Sequence, residues 1–475
     1  MVTEEEKHPT LVKTATRKTN VRWVIPLMLF IAIMFNYADR VIWTITAPAY
    51  AYAFHWIASP SDYGAKGSLG GSGLANYSLI LFAWSLAYAL FNFPGGSLVD
   101  KLGLRKAMGI FYAVWSVFTI LTAATFDFLS MLVVRIFMGA GEGPVWPVNA
   151  KSAKNWTNRF DESKAYTWAG AGQAVGPVVA ASLGVLIYHF FGWPGPFIFF
   201  GAIGLLFAVI WYYYVRDTPD VHKGVNAEEL AYINEGKTDA EKSTKKLPAK
   251  LIWKNTLKMI FGTQAGIGTL LIFLSFGYIL FTFLYWLPGL MFIQFAHSVT
   301  TSGFYTAAVD TGLIVGFFGS GPLNDGLLRK FTKVNARRIG SLLPMSLMIL
   351  MVGLSYFTGT ARELVPTALL LATGAGLMNL TVGSWAVNAI DLAPRGTAGT
   401  VYGFYNGALN LVGAFNAIIE GVLFIKYGPV VGFTSSVIFM ALFIGGYVGL
   451  IRKNTWDRAM KLRDELVTAS EASTR

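Results

Sequence analysis

The chain has 475 residues, of which 54% are hydrophobic and only 13% are charged, and its formal net charge is +12. A soluble domain carries about 25% charged residues, so this composition excludes an ordinary water-soluble protein. The chain contains no cysteine, which excludes disulfide bonds, thiolate metal sites and a thiol nucleophile. The composition therefore predicts a protein that exposes much of its surface to lipid.

The apolar residues form twelve blocks, each long enough to cross a bilayer as a helix, which takes about 20 residues. Helices are expected because lipid offers no partners to backbone polar groups, and barrel strands would alternate polar and apolar residues. The predicted spans are 23–53, 74–97, 107–125, 128–150, 164–190, 194–215, 264–293, 300–321, 338–358, 364–390, 396–425 and 431–451. The sequence predicts an all-α integral membrane protein.

The basic residues fall in alternating loops. All but five of the 38 Lys and Arg lie in the N-terminal tail, in the loops after spans 2, 4, 6, 8 and 10, and in the C-terminal tail. The five exceptions are Lys66, Arg362 and Lys426 in the other loops and Arg40 and Arg135 inside spans. This distribution follows the positive-inside rule and predicts that both termini are cytoplasmic. The basic excess is then a matter of topology, and we expect no nucleic-acid partner.

One long polar stretch, residues 216–258, separates the first six spans from the last six. Its mixed charges are typical of a solvated connector with short amphipathic helices. We therefore predict an N-terminal six-helix bundle over 1–215, a cytoplasmic linker over 216–258 and a C-terminal six-helix bundle over 259–475.

A short motif occurs after span 2 and again after span 8. Each copy has a glycine, an aspartate four positions later and then basic residues: Gly96, Asp100 and Arg105 in the first, and Gly321, Asp325 and Arg329 in the second. The glycine lets helices approach closely, and the aspartate can cap a neighbouring helix or pair with the arginine. The two copies predict a cytoplasmic latch that breaks when the two halves move.

The paired motif resembles the signature of the major facilitator superfamily, and the resemblance extends over essentially the whole chain. The first copy is close to the family pattern, while the second has Gly326 where a basic residue is usual. The resemblance implies two six-helix bundles around a central cavity that opens alternately to the two sides of the membrane.

Four of the ionisable residues inside predicted spans stand out: Asp39 and Arg40 on span 1, and Arg135 and Glu142 on span 4. Such residues are costly in lipid and usually functional, although a structural ion-pair network between the two spans is the alternative. In the functional interpretation an arginine binds an anionic substrate, and the carboxylate that loses this arginine takes up a proton more readily. Anion binding and protonation then favour each other, as symport requires.

Three segments, 37–40, 135–156 and 281–288, resemble the anion:cation symporter family, and in particular its bacterial sugar-acid/proton symporters of the D-galactonate type. The resemblance implies that Asp39 and Glu142 carry protons and that Arg135 is the switching partner of Glu142. It also implies a set of substrate ligands, with Arg40 for the carboxylate and Tyr37, Tyr88, Gln173, Trp385 and Asn406 for hydrogen bonds. Any of these aromatic side chains could instead serve packing or interfacial anchoring, and the amides could bond across helices.

Two acids depart from the family pattern. Asp310, near the middle of span 8, could be a third titrating site, a substrate-binding acceptor or a structural acid. Glu420, within span 11, is expected at the outer rim. Asp391, at the end of span 10, is interpreted as structural.

The leading hypothesis is a monomeric proton-coupled symporter in the inner membrane that imports a sugar acid or similar hydroxycarboxylate and needs no cofactor beyond the proton. The alternative is an aromatic or dicarboxylate anion carrier that works as an exchanger or facilitator. The chain has no Walker loop, zinc-binding His/Glu motif or GxSxG elbow, so we expect no enzymatic activity. A non-transporting receptor is the remote alternative, since a receptor has no need of buried titrating pairs.

Overall fold

The computed structural model describes residues 18–58, 72–235, 237, 247–296 and 299–472. Within them, twelve long helices follow one another, and a helix outside the bundle, α13 (Lys453–Ala472), ends the described chain. The twelve are α1 (Val21–Ala53), α2 (Ser72–Leu102), α3 (Leu104–Thr122), α4 (Phe128–Trp156), α5 (Glu162–Phe191), α6 (Pro194–Tyr214), α7 (Gln264–Trp286), α8 (Val299–Leu328), α9 (Lys333–Thr360), α10 (Leu364–Leu392), α11 (Ala398–Tyr427) and α12 (Pro429–Leu450).

Eleven of the described helices are long and apolar enough to cross a membrane. The remaining predicted span is the eighth, which corresponds to α8; this helix has 30 residues but is less apolar because it contains Asp310 and several glycines. Large apolar side chains such as Phe137, Leu206, Leu369 and Ile438 are more than half exposed on the outside of the bundle. A water-soluble protein would not display so many of them, and here they form the lipid-facing surface.

The helices pair in the same way in both halves of the chain. In the first half α1 packs on α5, α2 on α4 and α3 on α6; in the second half α7 packs on α11, α8 on α10 and α9 on α12. The halves meet along α2 with α11 and along α5 with α8. The weak repeat in the sequence therefore corresponds to a repeated packing pattern, and the prediction of two similar six-helix halves agrees with the structure.

Several helices are locally irregular. The last part of α7, Thr282–Trp286, is a π-helical turn, and helical turns continue beyond it as Leu287–Leu290 and Met291–Ala296. In α4 the regular segments Phe128–Glu142 and Val145–Trp156 are separated at Gly143-Pro144, where proline has no N–H to donate. Such irregular turns in membrane helices often lie at functional sites.

The polar stretch between α6 and α7 contains the short helices Ala227–Asn234 and Ala249–Phe261. The first is fastened to the start of α1 by Glu229, whose carboxylate accepts hydrogen bonds from the hydroxyl of Thr19 (2.5 Å) and the backbone N–H groups of Val21 and Arg22 (3.2 and 3.1 Å). The guanidinium of Arg22 adds an ion pair at 3.0 Å. Glu229 thus caps the N-terminus of α1, where unpaired N–H groups and the helix dipole favour an anion.

Candidate transport site

A cavity lies between the two halves of the molecule, and both contribute to its wall. Half of its lining residues are aromatic, and the others include one cation and four amides: Tyr37, Arg40, Tyr88, Trp146, Tyr166 and Gln173 from the first half, and Phe276, Leu280, Phe281, Leu284, Phe317, Asn379, Val382, Trp385, Tyr402, Asn406, Leu409 and Asn410 from the second. A concave apolar surface with a few polar groups is the usual form of a small-molecule site.

The charged group of this cavity is the guanidinium of Arg40. Its Nη2 lies 2.9 Å and its Nε 3.2 Å from Oε2 of Glu142, so one carboxylate oxygen accepts both bonds. The guanidinium also lies 4.3 to 4.8 Å from the ring centroids of Tyr37, Tyr88 and Trp84, which adds cation–π attraction. Arg40 keeps 18% of its side chain exposed, whereas Glu142 is completely buried and its Oε1 accepts no hydrogen bond.

Close packing of α4 against α2 accounts for the position of Glu142. A β-carbon on Gly139 would lie 2.6 Å from the carbonyl oxygen of Trp84 on α2, so only glycine allows this approach. A β-carbon on Gly143, just after Glu142, would lie 3.2 Å from the backbone nitrogen of Asn92, also on α2. The glycines of α4 thereby hold Glu142 within reach of Arg40 on α1.

Asp39 lies on α1 next to Arg40 but faces another helix. Its Oδ2 accepts hydrogen bonds from Nε1 of Trp115 (3.1 Å) and the hydroxyl of Thr119 (3.0 Å), both on α3. Asp39 is fully buried, and its Oδ1 has no hydrogen-bond partner. The structure therefore places Asp39 behind the cavity wall.

Arg135 is buried, with 1% of its surface exposed, and among the described residues it forms no ion pair. Its guanidinium lies over the ring of Trp43 at 4.6 Å and contacts the sulfur of Met138 at 3.0 Å. In this arrangement Glu142 is paired with Arg40, and Arg135 is a buried cation in electrostatic contact with Asp39 and Glu142. Whether the partner of Glu142 changes during transport stays a prediction.

The other predicted substrate ligands reach the cavity, with the exception of Asp310. The cavity is lined by Tyr37, Tyr88, Gln173, Trp385 and Asn406.

Two of these ligands have donors that are already engaged. The indole N–H of Trp385 donates to the hydroxyl of Thr381 at 3.1 Å, and the amide of Asn406 donates to Oδ1 of Asn92 at 2.8 Å. The exception to the cavity lining is Asp310, which is half-buried in α8 and is not among the lining residues.

Glu420 lies toward the far end of α11, 22 residues after Ala398, but the expectation that it is exposed at the rim is wrong. It is completely buried, and its Oε1 accepts a hydrogen bond from the hydroxyl of Thr282 at 3.1 Å. The expectation failed because position along a helix gives the depth of a residue but not whether neighbouring helices cover it. Asp391, interpreted as structural, is paired with Lys333 at 2.5 Å and with Arg337 at 3.3 Å.

One end of the cavity is closed by the first copy of the repeated motif, Gly96, Asp100 and Arg105. We call the two copies the gate motifs. The carboxylate of Asp100 accepts hydrogen bonds from the backbone N–H groups of Gly399 (3.0 Å) and Thr400 (2.7 Å), and so caps the N-terminus of α11 in the other half. It also pairs with Lys151 at 3.1 Å. A β-carbon on Gly96 would lie 2.2 Å from the carbonyl oxygen of Gly399. We call this end, with the α2–α3 and α8–α9 loops, the closed face; it is the face we predict to be cytoplasmic.

The second copy of the motif makes the equivalent contact. Asp325 accepts a hydrogen bond from the backbone N–H of Lys164 at 2.9 Å, near the start of α5 in the first half. A β-carbon on Gly321 would lie 2.4 Å from Cα of Lys164. The sequence allowed each aspartate either to cap a helix or to pair with the arginine of its motif. In the structure each aspartate caps a helix of the opposite half.

The arginines of the motif do not pair with these aspartates. Nε of Arg105 donates to the carbonyl oxygen of Tyr212 at 2.6 Å, and Asp217 accepts its backbone N–H at 3.0 Å. Arg329 is exposed and forms no ion pair with any residue that the structure describes. A lysine outside the motifs joins the two halves at the closed face. Lys154 on α4 donates to the carbonyl oxygens of Ile390 and Ala393 in the second half, both at 2.9 Å.

Some cavity residues had no signal in the sequence. The hydroxyl groups of Tyr166 and Tyr402 form a hydrogen bond across the two halves, and Trp146 lies against Tyr166. Their positions depend on how α5 and α11 meet, which spacing within one helix cannot reveal.

A family model of the Major Facilitator Superfamily matches residues 29–417. The chain is 27% identical over 441 residues to the Probable galactarate/D-glucarate transporter GudP of Escherichia coli (strain K12), covering 90% of this chain and 91% of that protein. It is 27% identical over 411 residues to the D-galactonate transporter of Escherichia coli O6:H1, covering 86% and 90%. Among solved structures it is similar to the proton:xylose symporter XylE, with a TM-score of 0.67 at 14% identity over 90% of this chain and 94% of that chain.

The family model covers most of the chain, and the structural similarity at low identity shows the same fold. The relatives are named as transporters, which agrees with the expectation that the protein is not an enzyme. The helices, the repeated packing and the capped gate motifs are those of a multi-pass membrane transporter. The chain belongs to the Major Facilitator Superfamily.

Proposed function

We propose that the protein imports a small organic anion, a sugar acid or similar hydroxycarboxylate, together with protons. The observation that carries this proposal is the ion pair of Arg40 and Glu142 at the cavity wall, 2.9 Å long. It joins a cation that a substrate can reach to a buried carboxylate that a substrate cannot reach. An anion that enters the cavity competes with Glu142 for the same guanidinium.

The coupling follows from this competition. A carboxylate of the substrate can take the hydrogen bonds that Arg40 now gives to Glu142, because arginine presents several N–H donors in one plane. Glu142 would then be a buried carboxylate without its cation, which is costly unless it takes up a proton. Proton uptake by Glu142 and anion binding at Arg40 thus stabilise each other, and Asp39 offers a second buried carboxylate.

The cavity lining supports a hydroxylated substrate. Gln173, Asn379, Asn406 and Asn410 offer amide groups, and Oδ1 of Asn379 is a buried acceptor without a hydrogen-bond partner. Substrate hydroxyl groups can donate to such acceptors, which a plain aromatic acid cannot do. The relatives named for galactarate, D-glucarate and D-galactonate agree with this substrate class.

The test is uptake of radiolabelled carboxylates into proteoliposomes with and without an inward proton gradient. The panel contains aldonic acids, aldaric acids, plain dicarboxylates and aromatic acids. We expect an aldonic or aldaric acid to accumulate only with the gradient. Glu142→Gln, which cannot release a proton, is expected to exchange substrate across the membrane but not to accumulate it.

Asp310→Asn serves as the matched control, because it neutralises an acid that does not line the cavity. We expect it to retain gradient-driven accumulation. Uptake of a sugar acid that ignores the gradient would contradict the coupling, and selective uptake of aromatic acids or plain dicarboxylates would contradict the substrate class.

A further inference from the structure

A second buried carboxylate site lies away from the transport cavity, where α7, α11 and α12 meet. Glu420 is on α11, and Asn416 lies four residues earlier, on the same face of that helix. Both residues are completely buried. Both side chains meet at the hydroxyl of Thr282 on α7, which lies 3.1 Å from Oε1 of Glu420 and 2.8 Å from Nδ2 of Asn416.

The hydrogen bonds of this site do not satisfy its acceptors. The hydroxyl of Thr282 has one hydrogen, and both Oε1 of Glu420 and the carbonyl oxygen of Tyr278 (3.0 Å) lie within reach of it. The hydroxyl of Ser435 on α12 is 3.4 Å from the same Oε1, a long bond. Oε2 of Glu420 and Oδ1 of Asn416 are buried and accept no hydrogen bond.

No positive charge among the described residues compensates this carboxylate. Glu420 forms no ion pair within the part of the chain that the structure describes, and the titratable side chain beside it is the phenol of Tyr278, a neutral hydrogen-bond donor to the carboxylate. Lys426, farther along α11, is exposed and lies over the ring of Tyr427. A buried charge without a partner is strongly unfavourable, and so are two buried acceptors without donors. A small cation bound at the carboxylate would remove the cost of the buried charge.

We propose that Glu420, Asn416 and Thr282 form a binding site for one small monovalent cation, a proton or Na⁺, separate from the Arg40 site. A proton would bind at Oε2, the carboxylate oxygen that accepts no hydrogen bond from a described residue. Na⁺ would be held by carboxylate, amide and hydroxyl oxygens, the ligand types that hard cations prefer. Either ion neutralises Glu420 and joins α7 to α11.

The position of the site indicates where the cation enters and what it stabilises. Glu420 is 22 residues from Ala398, so it lies about 33 Å along α11 from the end that Asp100 caps. The site is therefore near the end of the bundle opposite the closed face. Thr282 begins the π-helical turn of α7, and Phe281 just before it lines the cavity. A bound cation would hold this irregular part of α7 against α11.

The test is the melting temperature of the purified full-length protein in detergent without substrate. NaCl replaces choline chloride at constant ionic strength in one series, and pH varies without Na⁺ in a second. A ligand that binds only the folded state raises its stability. For wild type we expect a rise of ~2 °C with Na⁺ if the site binds Na⁺, or with acidification if it binds a proton.

Glu420→Gln should lose whichever response wild type shows, because the amide keeps the shape but binds neither ion. Asp310→Asn, the matched control, should keep it. Thr282→Val keeps the shape of the side chain without the hydroxyl and should shift the response to higher Na⁺ or lower pH; it serves if Glu420→Gln does not fold. A wild type without either response, or variants that respond as wild type does, would overturn the proposal.

Discussion

At the scale of single residues, Arg40 decides what the cavity can bind. It is the cation of the described cavity lining, and its guanidinium is held both by Glu142 and by the faces of three aromatic rings. The rings hold the guanidinium plane in place, so an incoming carboxylate meets donors that are already oriented. Lysine carries the same charge but lacks the planar fork and stacks less well on rings.

Arg40→Lys should therefore raise the KM for substrate uptake about tenfold or more, because a hydrogen bond to a charged group contributes about 1.5–3 kcal/mol. The measurement is the concentration dependence of uptake into proteoliposomes. Arg362→Lys, in an exposed loop, is the matched control and should leave KM unchanged. An unchanged KM for Arg40→Lys would mean that Arg40 serves only the packing of α1 and α4.

The sequence identified the four charged residues of the site but not their pairing. Asp39, Arg40, Arg135 and Glu142 stand out because ionisable residues are rare within apolar spans. Arg135 and Glu142 lie two turns apart on one helix, and Arg40 is on another, so spacing alone allowed either arginine as the partner. Helix packing decides the pairing, and the glycines of α4 bring Glu142 to Arg40 in this structure.

At the scale of helices, the two gate motifs hold the halves together by close backbone contact. Gly96 and Gly321 each face a helix of the opposite half at a distance that leaves no room for a β-carbon. Gly326, in the second motif, has no atom within 4 Å of the position that a β-carbon would take. The motif therefore contains both a glycine that closure requires and one that it does not.

Gly96→Ala should open the closed face, because overpacking of a tight contact costs about 1–3 kcal/mol and shifts the equilibrium about tenfold. Spin labels on Arg159→Cys and Lys330→Cys would report the distance between the halves, and the chain has no native cysteine to interfere. Gly326→Ala is the control and should leave the distances as in wild type. Equal distance distributions for both variants would refute this role of Gly96.

The carboxylate of Glu229 is a principal attachment between the linker helix Ala227–Asn234 and the start of α1. Burial alone raises the pKa of Glu229, but the hydrogen bonds from Thr19, Arg22 and Val21 hold that pKa below its ordinary value of 4.5. A carboxylate with a lowered pKa stabilises the folded state at neutral pH, and this contribution is lost as the pH falls below about 4.5. The linker helix should detach from α1 under such acidic conditions.

Glu229→Gln should produce the same detachment at neutral pH. Loss of about 2 kcal/mol corresponds to an approximately 30-fold larger open population, and trypsin should cleave the linker faster by a similar factor. Glu235→Gln is the control, because Glu235 is exposed on the same linker. Equal cleavage rates in the two variants would show that Glu229 does not fasten the linker.

Helix limits were predicted well in lipid and less well outside it. The predicted span 74–97 ends where charged residues begin, but α2 continues through Asp100 to Leu102. The helix ends at Gly103, whose φ of +87° is one that glycine adopts readily. Hydropathy reports where a helix leaves lipid, whereas backbone conformation decides where it ends.

At the scale of the whole molecule, the structure has one face closed by reciprocal capping and a cavity between the halves. The composition, the alternating charges and the repeated motif were sufficient to predict the twelve-helix fold, because each follows from lipid exposure or internal repetition. The cavity was only partly predictable. Its wall is formed where α5 meets α8 and α2 meets α11, and Tyr166 and Tyr402 meet only through that assembly.

The central claim is that anion entry and proton entry are one event, and proton movement tests it most directly. A pH-sensitive dye is enclosed in weakly buffered proteoliposomes, and a transported sugar acid is added outside at equal starting pH. We predict that the interior acidifies with wild type and does not acidify with Glu142→Gln. Entry of the same sugar acid through the wild-type protein without any internal acidification would contradict the account.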